Sequence, residues 1–235
     1  MCNNRKINVV IPARIGSKRI HKKNIAMVGK HPLIAYSIIA CLRSSKIDRV
    51  VVSTDSEQIS VIALEYGAEV PFIRPEKYAT DLSSDYGFLK HFFDSIDGED
   101  VALIRPTTPH RNPSEMDKII STYFLLDDIT GLRTVSACNT SPYKLYTIKN
   151  NICSGFFADF NGDCDYSNLP NQVFPRSYSP NGYIDIVRRD TIDVGSMFGN
   201  KIFGVVTQEV IDIDSQFDLD LANMQVGTKY DYLRI

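Results

Sequence analysis

The densest chemistry in this chain lies near its start. Residues Ala13 to Asn24 read A-R-I-G-S-K-R-I-H-K-K-N, with five lysines or arginines and no acid. Such a loop, placed after an apolar run, suits a polyanion. Its backbone N–H groups form a cradle and its cationic side chains neutralise charge. A triphosphate, with about four negative charges, fits that description. The G-x-x-x-x-G-K-[ST] pattern is absent, so a Walker-type loop is excluded. A basic loop that is merely solvated is the competing reading. Near the other end, Asp212 and Asp214 are separated by one residue. On an extended segment both carboxylates point to one side, as a platform for Mg²⁺ and phosphate oxygens would require. An ordinary solvent-facing strand gives the same spacing.

The charge is unevenly spread although the formal net charge is only −2. Ten Lys and Arg precede the first acid, Asp48. After Val206 the balance reverses, with Glu209, Asp212, Asp214, Asp218, Asp220 and Asp231 against Lys229 and Arg234. A basic beginning and an acidic end fit an anionic ligand at one edge and a metal at another. No basic face is sustained along the chain, which argues against nucleic acid as a partner. No apolar run approaches the ~18 residues of a membrane span, so no membrane partner is expected. Met1 to Asn8 is polar and lacks the apolar core of a signal peptide, so a cytoplasmic location is expected. Cys2, Cys41, Cys138, Cys153 and Cys164 are scattered and form no C-x-x-C, which indicates neither a disulfide framework nor a zinc knuckle.

These residues need a scaffold, and 235 residues suit one α/β domain with an appendage, or two small domains. Ile7–Pro12 reads as a buried strand. Pro32–Ser45 reads as a helix with Ile34, Ile38 and Leu42 on one face. Arg49–Ser53 is a second strand. Asp55 then looks like an N-cap with Gln58 three residues on, and Gly67 stops the helix it opens. Glu69–Ile73 is a third strand, Ser84–Ile96 a helix and Val101–Ile104 a fourth strand. A helix opens at Pro113-Ser114, with Asp117 three residues on. Thr134–Ala137, Tyr183–Val187 and Ile202–Val206 have strand character, and Phe217–Met224 closes the chain as a helix. This alternation predicts a parallel sheet wrapped on both faces, with ligands beyond the carboxyl ends of the strands. Between Ser141 and Pro180 the texture turns to hairpins and loops rich in Asn, Gly, Pro and aromatics.

Several segments resemble one family in order. P-A-R-I-G-S-K-R-I-H-K-K-N (Pro12–Asn24) is similar to the A-R-x-x-S-K then K-N signature of the sugar-acid cytidylyltransferases, the acylneuraminate branch especially. V-V-S-T-D at Val51–Asp55 resembles the family's second strand. I-R-P-E-K-Y-A-T-D at Ile73–Asp81 resembles its R-P-x-x-x-A-x-D element, and R-P-T-T-P-H-R at Arg105–Arg111 its Q-P-T-S-P-L-R. S-P-N-G-Y-I at Ser179–Ile184 resembles R-P-N-G-x-I, and I-D-I-D at Ile211–Asp214 the C-terminal acidic motif.

The resemblance implies a Rossmann-like, mostly parallel sheet of the nucleotide-diphospho-sugar transferase type. It implies a single domain over 1–235, with 141–180 as a β-hairpin dimerisation insert. It implies transfer of CMP from CTP to a sialic or legionaminic acid-like 2-keto-3-deoxy sugar acid, with Mg²⁺, by a homodimer that supplies surface glycans. Arg14, Lys23 and Asp214 would be catalytic. Ala13, Arg14, Ser17, Lys18, Asn24, Arg74, Asp81, Arg105 and Thr107 would line the nucleotide. Asn181 and Lys144 would serve the sugar, Lys144 across the dimer, Asp212 and Asp214 would hold the metal, and Arg176 lies between Asn171 and Ser179, where it could stand in for an arginine missing there. The chain departs from the pattern at Arg105, where Gln is usual, and at Asn171 and Ser179, where Arg is usual. Another sugar or nucleotide, or a binding protein without turnover, is the alternative those positions leave open. The aromatics of the insert suit a two-fold interface or a small satellite core.

Overall fold

The computed structural model describes residues 5–226. Cys2, Lys229, Asp231, Arg234 and the first four residues of the polar start lie outside them. In chain order the elements are β1 (Ile7–Pro12), β2 (Met27–Val28), β3 (His31–Pro32), α1 (Leu33–Leu42), β4 (Ile47–Ser53) and α2 (Glu57–Glu65). Next come α3 (Asp85–Ser95), β5 (Asp100–Leu103), α4 (Pro113–Tyr123) and β6 (Gly131–Ala137). The chain continues with β7 (Tyr146–Lys149), β8 (Ile152–Gly155), β9 (Tyr178–Arg188), α5 (Arg189–Asp193), β10 (Ile202–Val206) and α6 (Gln216–Gln225).

The main sheet has the order β10-β6-β9-β5-β1-β4. Neighbours pair in parallel except at β9, which is antiparallel to both β5 and β6. Alternation along the strands sorts the core. Val9, Ile11, Val50 and Val52 face α1, α2 and α4, whereas Val10, Val51, Val101 and Leu103 face α3 and α5. Helices thus cover both faces, as the strand–helix alternation implied.

Helix α1 (L-I-A-Y-S-I-I-A-C-L) is apolar almost all round because it packs twice. Ile34, Ile38 and Cys41 meet the sheet, and burial pushes the Cys41 thiol up to about 12. Leu33, Tyr36 and Ile39 meet Ile213, Leu219 and Ala222 from the end of the chain. Leu42, expected on the buried face, is half exposed instead. This second contact brings the acidic segment back to the first loop.

Three local readings need correction. Ser56, not Asp55, caps α2, accepting from the Ile59 amide. Glu69–Ile73 makes only two isolated bridges, Glu69 to Val51 of β4 and Ile73 to Thr54 just past it, because Pro71 lies between them and lacks a ladder donor. The Asn181-Gly182 pair, which by residue type is first of all a turn former, lies inside the long strand β9. There the register against β6 slips between Arg133↔Asp185 and Val135↔Pro180, and Gly182 takes φ +68°. Strand β6 also starts earlier than expected, at Gly131, where an added Cβ would meet the Ile186 carbonyl at 3.1 Å.

Candidate active site

A cleft of about 570 Å³ opens beyond the carboxyl ends of β1, β4 and β5. Its walls carry six cationic side chains, Arg14, Lys18, Arg19, Lys23, Arg74 and Arg105, against three carboxylates, Asp81, Asp85 and Asp214. Such an excess of positive charge in a concave site concentrates anions.

The basic loop is tied down by hydrogen bonds to its own chain. Ala13 is buried and its amide donates to the Ser53 carbonyl at 2.9 Å, continuing the β1–β4 ladder. The Asp55 carboxylate accepts from the Ile15 amide at 2.9 Å. Asn24 is buried, and its side-chain amide donates to the Arg14 carbonyl at 2.8 Å, closing the loop on itself. Lys22 adopts a left-handed backbone (φ +50°), a conformation uncommon for a side chain of its size, and turns the chain into the short helical turn Lys23–Ile25. Ser17 also lines the cleft. Asp55 is a site residue that sequence reading missed. Its position at the end of V-V-S-T-D was visible, but a helix cap explained it equally well.

Two ion-pair clusters line the cleft. On one side Asp81 takes Arg14 NH1 at 2.9 Å and Lys18 Nζ at 2.8 Å. The Lys18 hydrogen bond, reinforced by Arg14, holds the Asp81 carboxyl below the usual carboxylate range. On the other side Asp214 takes Lys23 Nζ at 2.9 Å and Arg19 NH1 at 2.9 Å. Lys23 also donates to the Ile213 carbonyl at 2.8 Å, and the Lys23 bond holds the Asp214 carboxyl low. The Ile213 amide donates to the Thr107 carbonyl at 2.8 Å, so β5's following loop, the basic loop and the acidic segment meet at one point. The capping box of α6 steadies this point. Ser215 and Asp218 bond reciprocally, and the Asp218 carboxylate also accepts from the Asp214 amide at 3.1 Å.

The other expected residues are placed as follows. Arg74 reaches the cleft wall but is 4% exposed, bonded to the Ser53 hydroxyl and carbonyl and stacked over Phe88 at 4.8 Å. Burial lowers its pKa to about 10, which leaves it charged at neutral pH. Arg105 and Thr107 line the cleft. Asp212 is exposed and outside the lining. Asn181 is outside it too. Its amide donates to Ser136 Oγ at 2.8 Å and Thr207 Oγ1 at 2.6 Å and its oxygen accepts from the Tyr183 amide, so it ties the bulged β9 to its neighbours. Lys144 lies 6.0 Å from the Phe174 ring, and Arg176 is exposed, both in the 141–180 arm rather than the cleft.

One residue of the fourth-strand loop was not singled out and proves central to its shape. Arg111 is 1% exposed. Its guanidinium donates to the carbonyls of Tyr183 (2.7 Å), Arg105 (2.9 Å), Gly182 (2.8 Å) and Thr108, and to Ser37 Oγ (2.9 Å). It thereby locks the Arg105–Pro113 loop to β9. Arg111→Met, which keeps length but deletes every donor, is expected to destabilise the fold by about 3 kcal/mol or more, because several buried carbonyls lose their partner. Urea unfolding measures this, and a change below about 1 kcal/mol would show that the loop holds its shape without the guanidinium.

Among the described residues no cluster of three or more His, Cys, Asp or Glu side chains is placed to hold a metal, and no helix is long and apolar enough to cross a membrane. Carboxylates at the Asp212–Asp214 segment are hard oxygen donors that suit Mg²⁺ when phosphate oxygens complete its shell.

Residues 8–144 match the family described as Cytidylyltransferase. Among curated proteins, N-acylneuraminate cytidylyltransferase of Escherichia coli O18:K1:H7 is 34% identical over 92% of this chain and 51% of its own length. CMP-N,N'-diacetyllegionaminic acid synthase of Legionella pneumophila is 40% identical over 60% of each chain. The chain therefore spans about half to three-fifths of these relatives. Among solved structures, CMP:2-keto-3-deoxy-manno-octonic acid synthetase complexed with CTP superposes with TM-score 0.71, covering 93% of this chain and 97% of that one at 16% identity, a likeness of fold. With a family match running from β1 through the basic loop to the fourth-strand loop and beyond, the chain belongs to the cytidylyltransferase family.

Proposed function

We propose that this protein transfers CMP from CTP to a sialic or legionaminic acid-like 2-keto-3-deoxy sugar acid and releases pyrophosphate. The observation that carries the reading is the meeting of the basic loop with Asp214 around one cleft. Its relatives, named for N-acylneuraminate and N,N'-diacetyllegionaminic acid, support the acceptor class.

The anomeric hydroxyl of the sugar attacks the α-phosphorus. A new P–O bond forms, the α–β bridge breaks, pyrophosphate leaves with the electron pair, and the proton of the attacking hydroxyl passes to solvent. Chemistry of this kind depends on positioning and charge neutralisation. Arg14, Lys18 and Lys23 take the phosphates, exchanging their present carboxylate partners for phosphate oxygens. Arg14 and Lys23 neutralise the charge that builds on the leaving group. Ala13, Ser17 and Asn24 shape the loop, while Arg74, Asp81 and Thr107 form the nucleotide walls. Asp212 and Asp214 would hold Mg²⁺, which supplies positive charge at the reacting phosphate.

A homodimer completes this reading within a single 1–235 domain. In the 141–180 arm, Tyr143, Phe157, Phe160, Tyr166 and Phe174 pack on one another, with Tyr143 and Phe174 stacked at 5.1 Å. This packing supports the satellite-core reading of those aromatics, while Tyr146, Ile148, Ile152, Phe156 and Tyr178 stay exposed. Every residue of the β7–β8 hairpin is exposed, and a lone hairpin is marginal in water. A second copy covering that surface would bring Lys144 and Arg176 to its partner's acceptor, with Asn181 bracing the acceptor wall. A cytoplasmic location is part of this reading.

The test is pyrophosphate release from CTP, ATP, GTP or UTP with Mg²⁺ and N-acetylneuraminate, N,N'-diacetyllegionaminate or pseudaminate. Release with CTP and at least one acid is expected. Tight CTP binding with no release from any acid would instead favour a binding protein.

A further inference from the structure

Arg105 differs from the other cations of the cleft in what holds it. Its NH2 lies 2.8 Å from Asp85 at the start of α3 and 3.5 Å from Asp185 of β9. Asp185 is 1% exposed and is gripped from the far side by Arg133 of β6, with Nε at 3.3 Å. Burial pushes its carboxyl upward, and the two arginines oppose that push. Arg105 is thus braced from beneath by a buried carboxylate and from the side by a half-exposed one. Both contacts use NH2. The donors on NH1 have no partner among the described residues, and the side chain, a quarter exposed, lines the cleft. Space is made for its stem. At Gly182 (φ +68°) an added Cβ would lie 3.3 Å from Arg105 Cδ and 3.2 Å from Thr108 Oγ1.

A guanidinium held through Nη2, with its Nη1 donors unused and the side chain lining the cleft, can give a charge-assisted hydrogen bond to an anion such as a carboxylate. The basic loop already supplies Arg14, Lys18 and Lys23 to phosphates. CTP brings no carboxylate; the acceptor does. We propose that Arg105 anchors the carboxylate of the acceptor sugar acid, and that Asp185 and Asp85 are positioning residues that keep its open edge turned into the cleft. This rests on the cytidylyl-transfer reading and moves Arg105 from the nucleotide to the acceptor.

The experiment uses the acid among N-acetylneuraminate, N,N'-diacetyllegionaminate and pseudaminate that gives the fastest pyrophosphate release with the wild-type protein, together with that acid's methyl ester. Arg105→Gln is expected to raise KM for the acid about 30-fold or more and to leave KM for CTP within about twofold. Wild-type preference for the acid over its ester should vanish in this variant. Arg105→Lys, which keeps charge but not the planar edge, should fall between. Asp185→Asn should raise KM for the acid about fivefold with kcat retained, and Asp85→Asn should move it the same way if Asp185→Asn does not fold. An unchanged KM for the acid in Arg105→Gln, a rise confined to CTP, or surviving ester discrimination overturns the anchor. Unmoved acid KM in both aspartate variants overturns the positioning role. No pyrophosphate from any acid with wild-type protein would strike the cytidylyl-transfer reading itself, and this proposal with it.

Discussion

Arg14→Ala is expected to slow pyrophosphate release at saturating substrates by about 10³-fold, with a thermal midpoint near that of the wild type. The reasoning is electrostatic. When the α–β bridge breaks, negative charge accumulates on the departing pyrophosphate, and a preplaced guanidinium in a cleft is worth far more there than in water. Arg14 is held for that task. Its backbone carbonyl is bonded by Asn24, and its guanidinium reaches Asp81 at 2.9 Å and the Ala79 carbonyl at 3.3 Å. The stability cost is small because the Arg14–Asp81 pair is about one-third exposed on each side, and such pairs contribute little. A loss below about tenfold in kcat would remove Arg14 from the chemistry and leave it as a partner of Asp81.

Asp214→Asn is expected to reduce turnover by about 10² to 10³-fold, with CTP binding weakened less. The amide keeps the shape but removes the charge that holds Lys23 and Arg19 in place and that would face the metal. A second readout follows from pH. Lys23 holds the Asp214 carboxyl below its ordinary value. A carboxylate depressed in the folded state contributes stability that is fully present above the ordinary carboxylate range and is lost as pH falls through the depressed value. Acid unfolding should therefore be steeper in the wild type than in Asp214→Asn below about pH 4. Activity between pH 6 and 9 should show no limb from Asp214, because it stays ionised there. Equal turnover in wild type and variant would remove Asp214 from the mechanism.

Much of the scaffold was legible from local pattern. β1 and β10 lie where the apolar runs put them, helix α3 falls within the Ser84–Ile96 segment read as a helix, and Gly67, at φ +89°, ends the second helix region. Apolar spacing, caps and glycine conformations are short-range properties, so one segment reveals them without the rest. The same locality misled the reading at Asn181-Gly182. A turn and a bulge inside a strand ask for the same residues, and only the pairing of β9 with both β5 and β6 distinguishes them. Arg111 is a parallel case. An arginine in a loop reads as exposed until two carbonyls of β9 and a hydroxyl of α1, both distant in sequence, join two carbonyls of its own loop around it.

The sequence by itself determined the alternating α/β class, the basic loop after the first strand and the acidic pair near the end, because each is a matter of residue type and short spacing. Only the tertiary structure decided that Lys23 and Asp214, 191 positions apart, would touch, that Asp55 would brace the basic loop rather than cap a helix, and that Asp185 would lie buried between Arg105 and Arg133. The physical reason is that these contacts depend on strand order and on the doubly packed helix α1, which are set by how distant apolar faces bury one another and not by any local run of residues.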